Sequence, residues 1–160
     1  MPNLIFGQKV KRLCRFRILT TPKTMNMTPP YRILIVDDND TFRQSVGALL
    51  ASHDGWVVCG QANDGIQAVE HAKLLRPDLI IMDISMPNMN GIDASKIIRT
   101  EVCESRILIL SQNDPAIVRR QTLEADAHGF LTKAELFQDL IGTVERILSV
   151  DGQRQSGKAS

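Results

Sequence analysis

The run Leu79-Ile80-Ile81-Met82 is continuously apolar and stops at a carboxylate, Asp83. An uninterrupted apolar stretch of this length suits a strand buried on both faces of a parallel sheet, where no face is left for alternating polar residues. In open α/β sheets ligands sit beyond the carboxyl ends of the strands, so the acid is presented where chemistry takes place. Pro87 and the Asn90-Gly91 pair then mark a loop before a helix.

The same signature recurs along the chain. Ile33 to Val36 runs into Asp37-Asp38-Asn39-Asp40, and the segment after it carries Phe42, Val46, Leu49 and Leu50 at helical spacing, with Asp40 as its expected cap. Trp56 to Cys59 reads as a second strand, Asn63-Asp64-Gly65 as a turn with a cap, and Ile66 to Leu75 as a helix ended by Pro77. Ile92 to Glu101 is the third helix, and Ile107 to Leu110 a fourth strand that delivers Ser111. Asp114-Pro115 reads as cap and first position of a fourth helix. Gly129 to Thr132 is a short fifth strand followed by Lys133, and the last helix shows a broad apolar face from Leu136 to Leu148. Thr132 and Glu135 can form a capping box that starts this helix early. Five strands alternating with five helices predict a doubly wound α/β domain with one parallel sheet covered on both faces.

The domain predicted over 31–149 is flanked by a basic extension over 1–30 and a polar tail over 150–160, both expected to be disordered. The first 27 residues carry six basic side chains and no acid, so the net charge of +1 leaves the remainder at −5. An acidic folded part argues against direct DNA binding. The extension admits a membrane or nucleic-acid contact or an organelle leader, but reads more simply as a disordered stretch ahead of a true start at Met25 or Met27. No apolar run is long enough to span a membrane. Cys14, Cys59 and Cys103 have no metal-ligand spacing and predict free thiols in a reducing, cytoplasmic compartment. His53, His71 and His128 read as ordinary surface or packing residues.

In one sheet the strand ends gather Asp37, Asp38, Asp83, Ser111 and Lys133. Each has a plain structural explanation by itself: a turn, a cap or a solvated charge. Together, three mutually repelling carboxylates call for a cation. Oxygen ligands without His or Cys select a hard ion, and few carboxylates with room for water favour Mg²⁺ over Ca²⁺. A carboxylate, a hard cation, an ammonium and a hydroxyl around one point suit phosphoryl transfer onto an Asp.

With Ile33 to Asp38, Met82 to Gly91, Leu110-Ser111 and Gly129 to Lys133 taken together, the chain resembles the receiver domain of two-component response regulators across Tyr31 to Ser149. The resemblance implies a flavodoxin-like five-stranded parallel sheet with five helices. It implies that Asp83 accepts a phosphoryl group from a histidine kinase or phosphotransfer protein, with no enzymatic activity beyond that acceptance and self-dephosphorylation. It further implies Mg²⁺ held by Asp38 directly, by Asp37 through water and by the Ser85 backbone carbonyl, with Asp83 at the same ion. Ser111 and Lys133 would contact the phosphoryl group, and Phe130 with Ser111 would form the switch. Output would pass to a downstream protein or to a second copy through the face of the fourth helix, fifth strand and fifth helix. With few residues after Ser149, a stand-alone receiver is expected, or a truncated relative of the DNA-binding branch. Two positions depart from the family pattern: Ala134 replaces the frequent Pro after the lysine, and Asp126 replaces a frequent Gly. Two alternatives are a receiver-like scaffold without phosphorylation and a haloacid-dehalogenase-like phosphohydrolase. The second would use Asp38 as nucleophile and Asp40 as acid, within Asp38-Asn39-Asp40-Thr41.

Overall fold

A computed structural model describes residues 29–150. The extension expected over 1–30 and the tail expected over 150–160 lie outside the described residues except at their inner ends.

The described residues alternate strand and helix: β1 (Tyr31–Val36), α1 (Asp40–Ala51), β2 (Trp56–Ala62), α2 (Gly65–Leu75), β3 (Leu79–Asp83), α3 (Gly91–Glu101), β4 (Arg106–Ser111), α4 (Pro115–Glu124), β5 (Gly129–Thr132) and α5 (Leu136–Ser149). The strands form one parallel sheet in the order β2-β1-β3-β4-β5. The apolar runs of the three central strands supply both faces through their period of two. Ile33, Ile35, Leu79, Ile81, Leu108 and Leu110 pack with Val46 and Leu50 of α1 and with Leu136, Leu140 and Val144 of α5. Their neighbours Leu34, Val36, Ile80, Met82, Ile107 and Ile109 pack on the other face with residues of α2, α3 and α4. A shift of one residue in register would exchange the two sets, so the packing of both layers fixes the strand ends.

Because β1 and β3 are neighbours but their following helices cover opposite faces, a crevice opens beyond their carboxyl ends. That crevice is where Asp37 and Asp83 emerge.

Three local expectations are corrected. β2 does not stop at Cys59 but runs to Ala62. Its register skips Cys59, with Val58 opposite Ile33 and Gly60 opposite Leu34, which is a bulge on an edge strand, where polar Gln61 is also tolerated. The cap of α1 is Asn39, whose side chain accepts from the Phe42 N–H at 2.9 Å, and not Asp40. Asp37 already turns the chain by accepting from the Asn39 N–H at 2.9 Å, so Asp40 falls on the first helical residue, beside Arg43. At α5 the capping box forms by half. The Glu135 carboxylate accepts from the Thr132 N–H at 3.3 Å and from its hydroxyl at 2.6 Å, but the Glu135 N–H donates to the Thr132 carbonyl at 3.1 Å instead of to the hydroxyl, and the helix begins at Leu136 after a turn.

Candidate functional site

Each site residue stands at a strand end because a buried apolar run delivers it there. After Val36 comes Asp37, fully buried, its N–H donating to the Ala62 carbonyl at 3.1 Å, and then the exposed Asp38. β3 ends on Asp83, which is 2% exposed, and β4 on Ser111, also 2% exposed. Lys133 follows β5 and is tied to the end of β4 by its N–H, which donates to the Ser111 carbonyl at 2.8 Å. Its ammonium reaches back 2.6 Å to Asp37 and 3.1 Å to Asp83, and lies 4.5 Å from the centre of the Phe42 ring. The ring of α1 thus forms an apolar floor that steers the ammonium toward the carboxylates.

Asp37, Asp38 and Asp83 each offer an oxygen within 4.8 Å of the others. Three carboxylates against one ammonium leave an excess of negative charge. Burial pushes the Asp83 carboxyl up to about 6, reinforced by Asp37 and Asp38 and opposed by Lys133. Burial works against the charge on Lys133 as well, but the hydrogen bond to Asp37 and the charges of Asp83 and Asp37 outweigh it and raise its pKa.

The Asp83 shift has a sign that can be tested. A carboxyl whose folded value lies above its ordinary 3.8 binds its proton more tightly when folded, so its contribution favours the fold at low pH and is lost as pH rises through about 6. Asp83→Asn is therefore expected to stabilise the fold in chelator at about pH 8, by on the order of 2 kcal/mol. The gain should vanish below about pH 4, where the carboxyl is protonated in both states. Urea unfolding of both proteins at the two pH values measures it.

Of the remaining predicted residues, Ser111 accepts from the Asn113 N–H at 3.0 Å through its hydroxyl oxygen. Phe130 is half-buried and packs on the α2–α4 side of the sheet. Ser85 is exposed at the start of the loop between β3 and α3. The hydrolase alternative needs Asp40 as an acid beside Asp38, but Asp40 opens α1 with its side chain 78% exposed and paired to Arg43. Asp126 adopts φ +51°, the left-handed conformation that glycine would otherwise supply, and its carboxylate accepts from Arg99 at 3.0 Å.

Sequence reasoning missed several contacts. His128, read as an ordinary residue, accepts from the Ile107 N–H at 3.0 Å through Nδ1, which holds the approach to β5 against β4. Burial, with Arg99 and Arg106 nearby, lowers its pKa and keeps the ring a neutral acceptor. Gly91 is present because its neighbour leaves no alternative: a Cβ there would lie 2.0 Å from the Asp83 carbonyl oxygen. The Asn90-Gly91 pair signalled a loop, but nothing in it signalled this contact.

The sequence profile of the response regulator receiver domain matches residues 33–145. The chain belongs to the response regulator receiver family. The receiver domain of Thermotoga maritima CheB, known from a crystal structure, is 32% identical, with a TM-score of 0.70 over 76% of this chain and 98% of that one. The response regulator GacA of Pseudomonas viridiflava is 30% identical over 125 residues, 77% of this chain and 56% of its own length. A protein-glutamate methylesterase/protein-glutamine glutaminase of Alkalilimnicola ehrlichii is 39% identical over 117 residues, 72% of this chain and 30% of its own length. The chain thus spans little more than half, or less, of these two curated relatives. This receiver is a phosphoaccepting module of two-component signalling. Among the described residues no helix is long and apolar enough to cross a membrane.

Proposed function

We propose that Asp83 is the phosphoacceptor and that Asp37, Asp38 and the Ser85 carbonyl hold Mg²⁺ beside it. The observation that carries this reading is a nearly buried carboxylate, Asp83, 3.1 Å from a lysine ammonium and within 4.8 Å of two further carboxylates. The donor set fits Mg²⁺: all donors are hard oxygens, they carry excess negative charge, and Asp38 stands open to water. In this reading Asp38 binds the ion directly and Asp37 through water. Bound there, Mg²⁺ would neutralise charge on the phosphoryl oxygens.

A carboxylate oxygen of Asp83 attacks the phosphorus of a phosphohistidine on a kinase or phosphotransfer protein. The P–N bond breaks, its electron pair stays on the imidazole nitrogen, which takes up a proton, and the aspartate becomes an acyl phosphate. Lys133 holds a fixed positive charge on one side of the transferred group, and the Ser111 hydroxyl, whose oxygen accepts from the Asn113 N–H, rotates to donate its proton to that group. That rotation frees space on the α4 side, into which Phe130 moves, altering the face made by α4, β5 and α5. A downstream protein or a second copy then reads that face, and direct DNA contact is not invoked. The chemistry is confined to receiving and releasing the phosphoryl group. The free thiols of Cys59 and Cys103 agree with a cytoplasmic setting.

The metal requirement is tested with acetyl phosphate as donor, phosphorylated protein being resolved on a phosphate-affinity gel across a Mg²⁺ titration. The expected result is a saturable dependence on Mg²⁺, no adduct in chelator, and a dependence shifted at least tenfold to higher Mg²⁺ in Asp38→Ala, about what loss of a direct ligand costs at the least. An adduct that forms equally in chelator would overturn the cation assignment.

A further inference from the structure

The loop over residues 84–90 is largely exposed, yet the cation site proposed above needs its Ser85 carbonyl in a fixed place. An exposed loop is mobile unless something outside it restrains it. The restraint here comes from the start of α2. Asp64 accepts from the Gln67 N–H at 2.8 Å through Oδ1, capping α2, and from the Asn88 side-chain amide at 2.8 Å through Oδ2. Those two hydrogen bonds, the one to Gln67 foremost, hold its carboxyl below the usual range, so it stays an anion. Asn88 sits at φ +64°. The next residue of α2 takes hold of the next residue of the loop: the Gly65 N–H donates to the Met89 carbonyl at 3.1 Å, and a Cβ on Gly65 would lie 2.5 Å from that oxygen. At the base of the loop the Gly91 N–H donates to the Ile84 carbonyl at 2.9 Å. Ser85 lies between the two points of attachment.

We infer that Asp64 and Asn88 are a positioning pair that docks the β3–α3 loop on α2 and so sets the Ser85 carbonyl for the cation. This rests on the cation site proposed above. Mg²⁺ demands near-ideal octahedral geometry, so a carbonyl out of place weakens binding even when every ligand is present. α2 thereby becomes part of the site without touching the ion.

Two variants break the same bond with different side effects. Asp64→Ser keeps a good helix cap but is too short to reach Asn88. Asn88→Gly keeps the left-handed backbone and changes no charge. The readout is the Mg²⁺ dissociation constant of the full chain by titration calorimetry with no phosphoryl donor, alongside the melting temperature in chelator. Each variant is expected to bind Mg²⁺ about tenfold more weakly, and the double variant no more weakly than either, because the pair acts as one unit. Unchanged Mg²⁺ affinity with a lowered melting temperature would overturn the pair and leave the cation site standing, as would two losses that simply add. Failure of the unaltered protein to bind Mg²⁺ would overturn the cation reading and the pair with it.

Discussion

An alanine at position 91 is expected to cost the fold about 3 kcal/mol, a fall of roughly 10 °C or more in melting temperature. The reason is the 2.0 Å separation between its Cβ and the Asp83 carbonyl oxygen, with the Asp83 carbonyl carbon at 2.9 Å. The colliding atoms are backbone, and they belong to the last residue of a central strand whose whole length is buried. A flexible side chain could yield, but this carbonyl cannot move without disturbing β3. Thermal melts of Gly91→Ala and of Gly142→Ala, where a Cβ would meet nothing within 4 Å, separate the contact from glycine's general flexibility. A large loss is expected at 91 and none, or a gain, at 142, since alanine is the better helix former. Equal effects at both would show that the close approach is not limiting.

Replacing Lys133 by methionine is expected to destabilise the cation-free protein by about 3 kcal/mol at about pH 8, since one ammonium neutralises two buried carboxylates. Methionine retains an unbranched apolar side chain and removes the charge that lies 4.5 Å from the centre of the Phe42 ring, 2.6 Å from Asp37 and 3.1 Å from Asp83. Without the lysine, Asp83 loses the one neighbour that lowers its pKa, so its proton is retained to still higher pH. The deficit should therefore shrink as pH falls toward about 5 and the carboxyl becomes neutral. Added Mg²⁺ should recover part of it through binding to the folded state. Urea unfolding at both pH values, with and without Mg²⁺, decides the matter. A deficit independent of pH and Mg²⁺ would mean that the lysine acts through packing alone.

Much of this architecture was legible because the central strands are apolar on both faces. β1, β3 and β4 need no partner information to be recognised, and the polar residue ending each run marks the site. Edge strand β2 was misjudged because it does not obey that rule. Among the described residues one side of it has no neighbouring strand, so Gly60, Gln61 and the bulge at Cys59 are tolerated where a central strand would exclude them. The caps of α2 and α4 stand at Asp64 and Asp114 as read, whereas those of α1 and α5 were misplaced by one and three residues, because which side chain caps depends on hydrogen bonds already committed: Asp37 to Asn39, and Thr132 to Glu135. Arg76 ends α2 in a left-handed conformation at φ +47° and carries none of the glycine signal that announces such an ending. The Asp64–Asn88 contact joins residues 24 apart, so no local pattern could reveal it. The charged cluster itself was the most legible part, because each of its members stands at a strand end and the sheet order brings the strand ends together.

In the proposed reaction Asp83 carries the phosphoryl group. The most direct test of this is the intact mass of the unaltered chain and of Asp83→Ala after incubation with acetyl phosphate and Mg²⁺. The expected result is the mass of one added phosphoryl group on the unaltered chain, released by base as an acyl phosphate must be, and no addition to Asp83→Ala. The same addition on both proteins, or on neither, would contradict it.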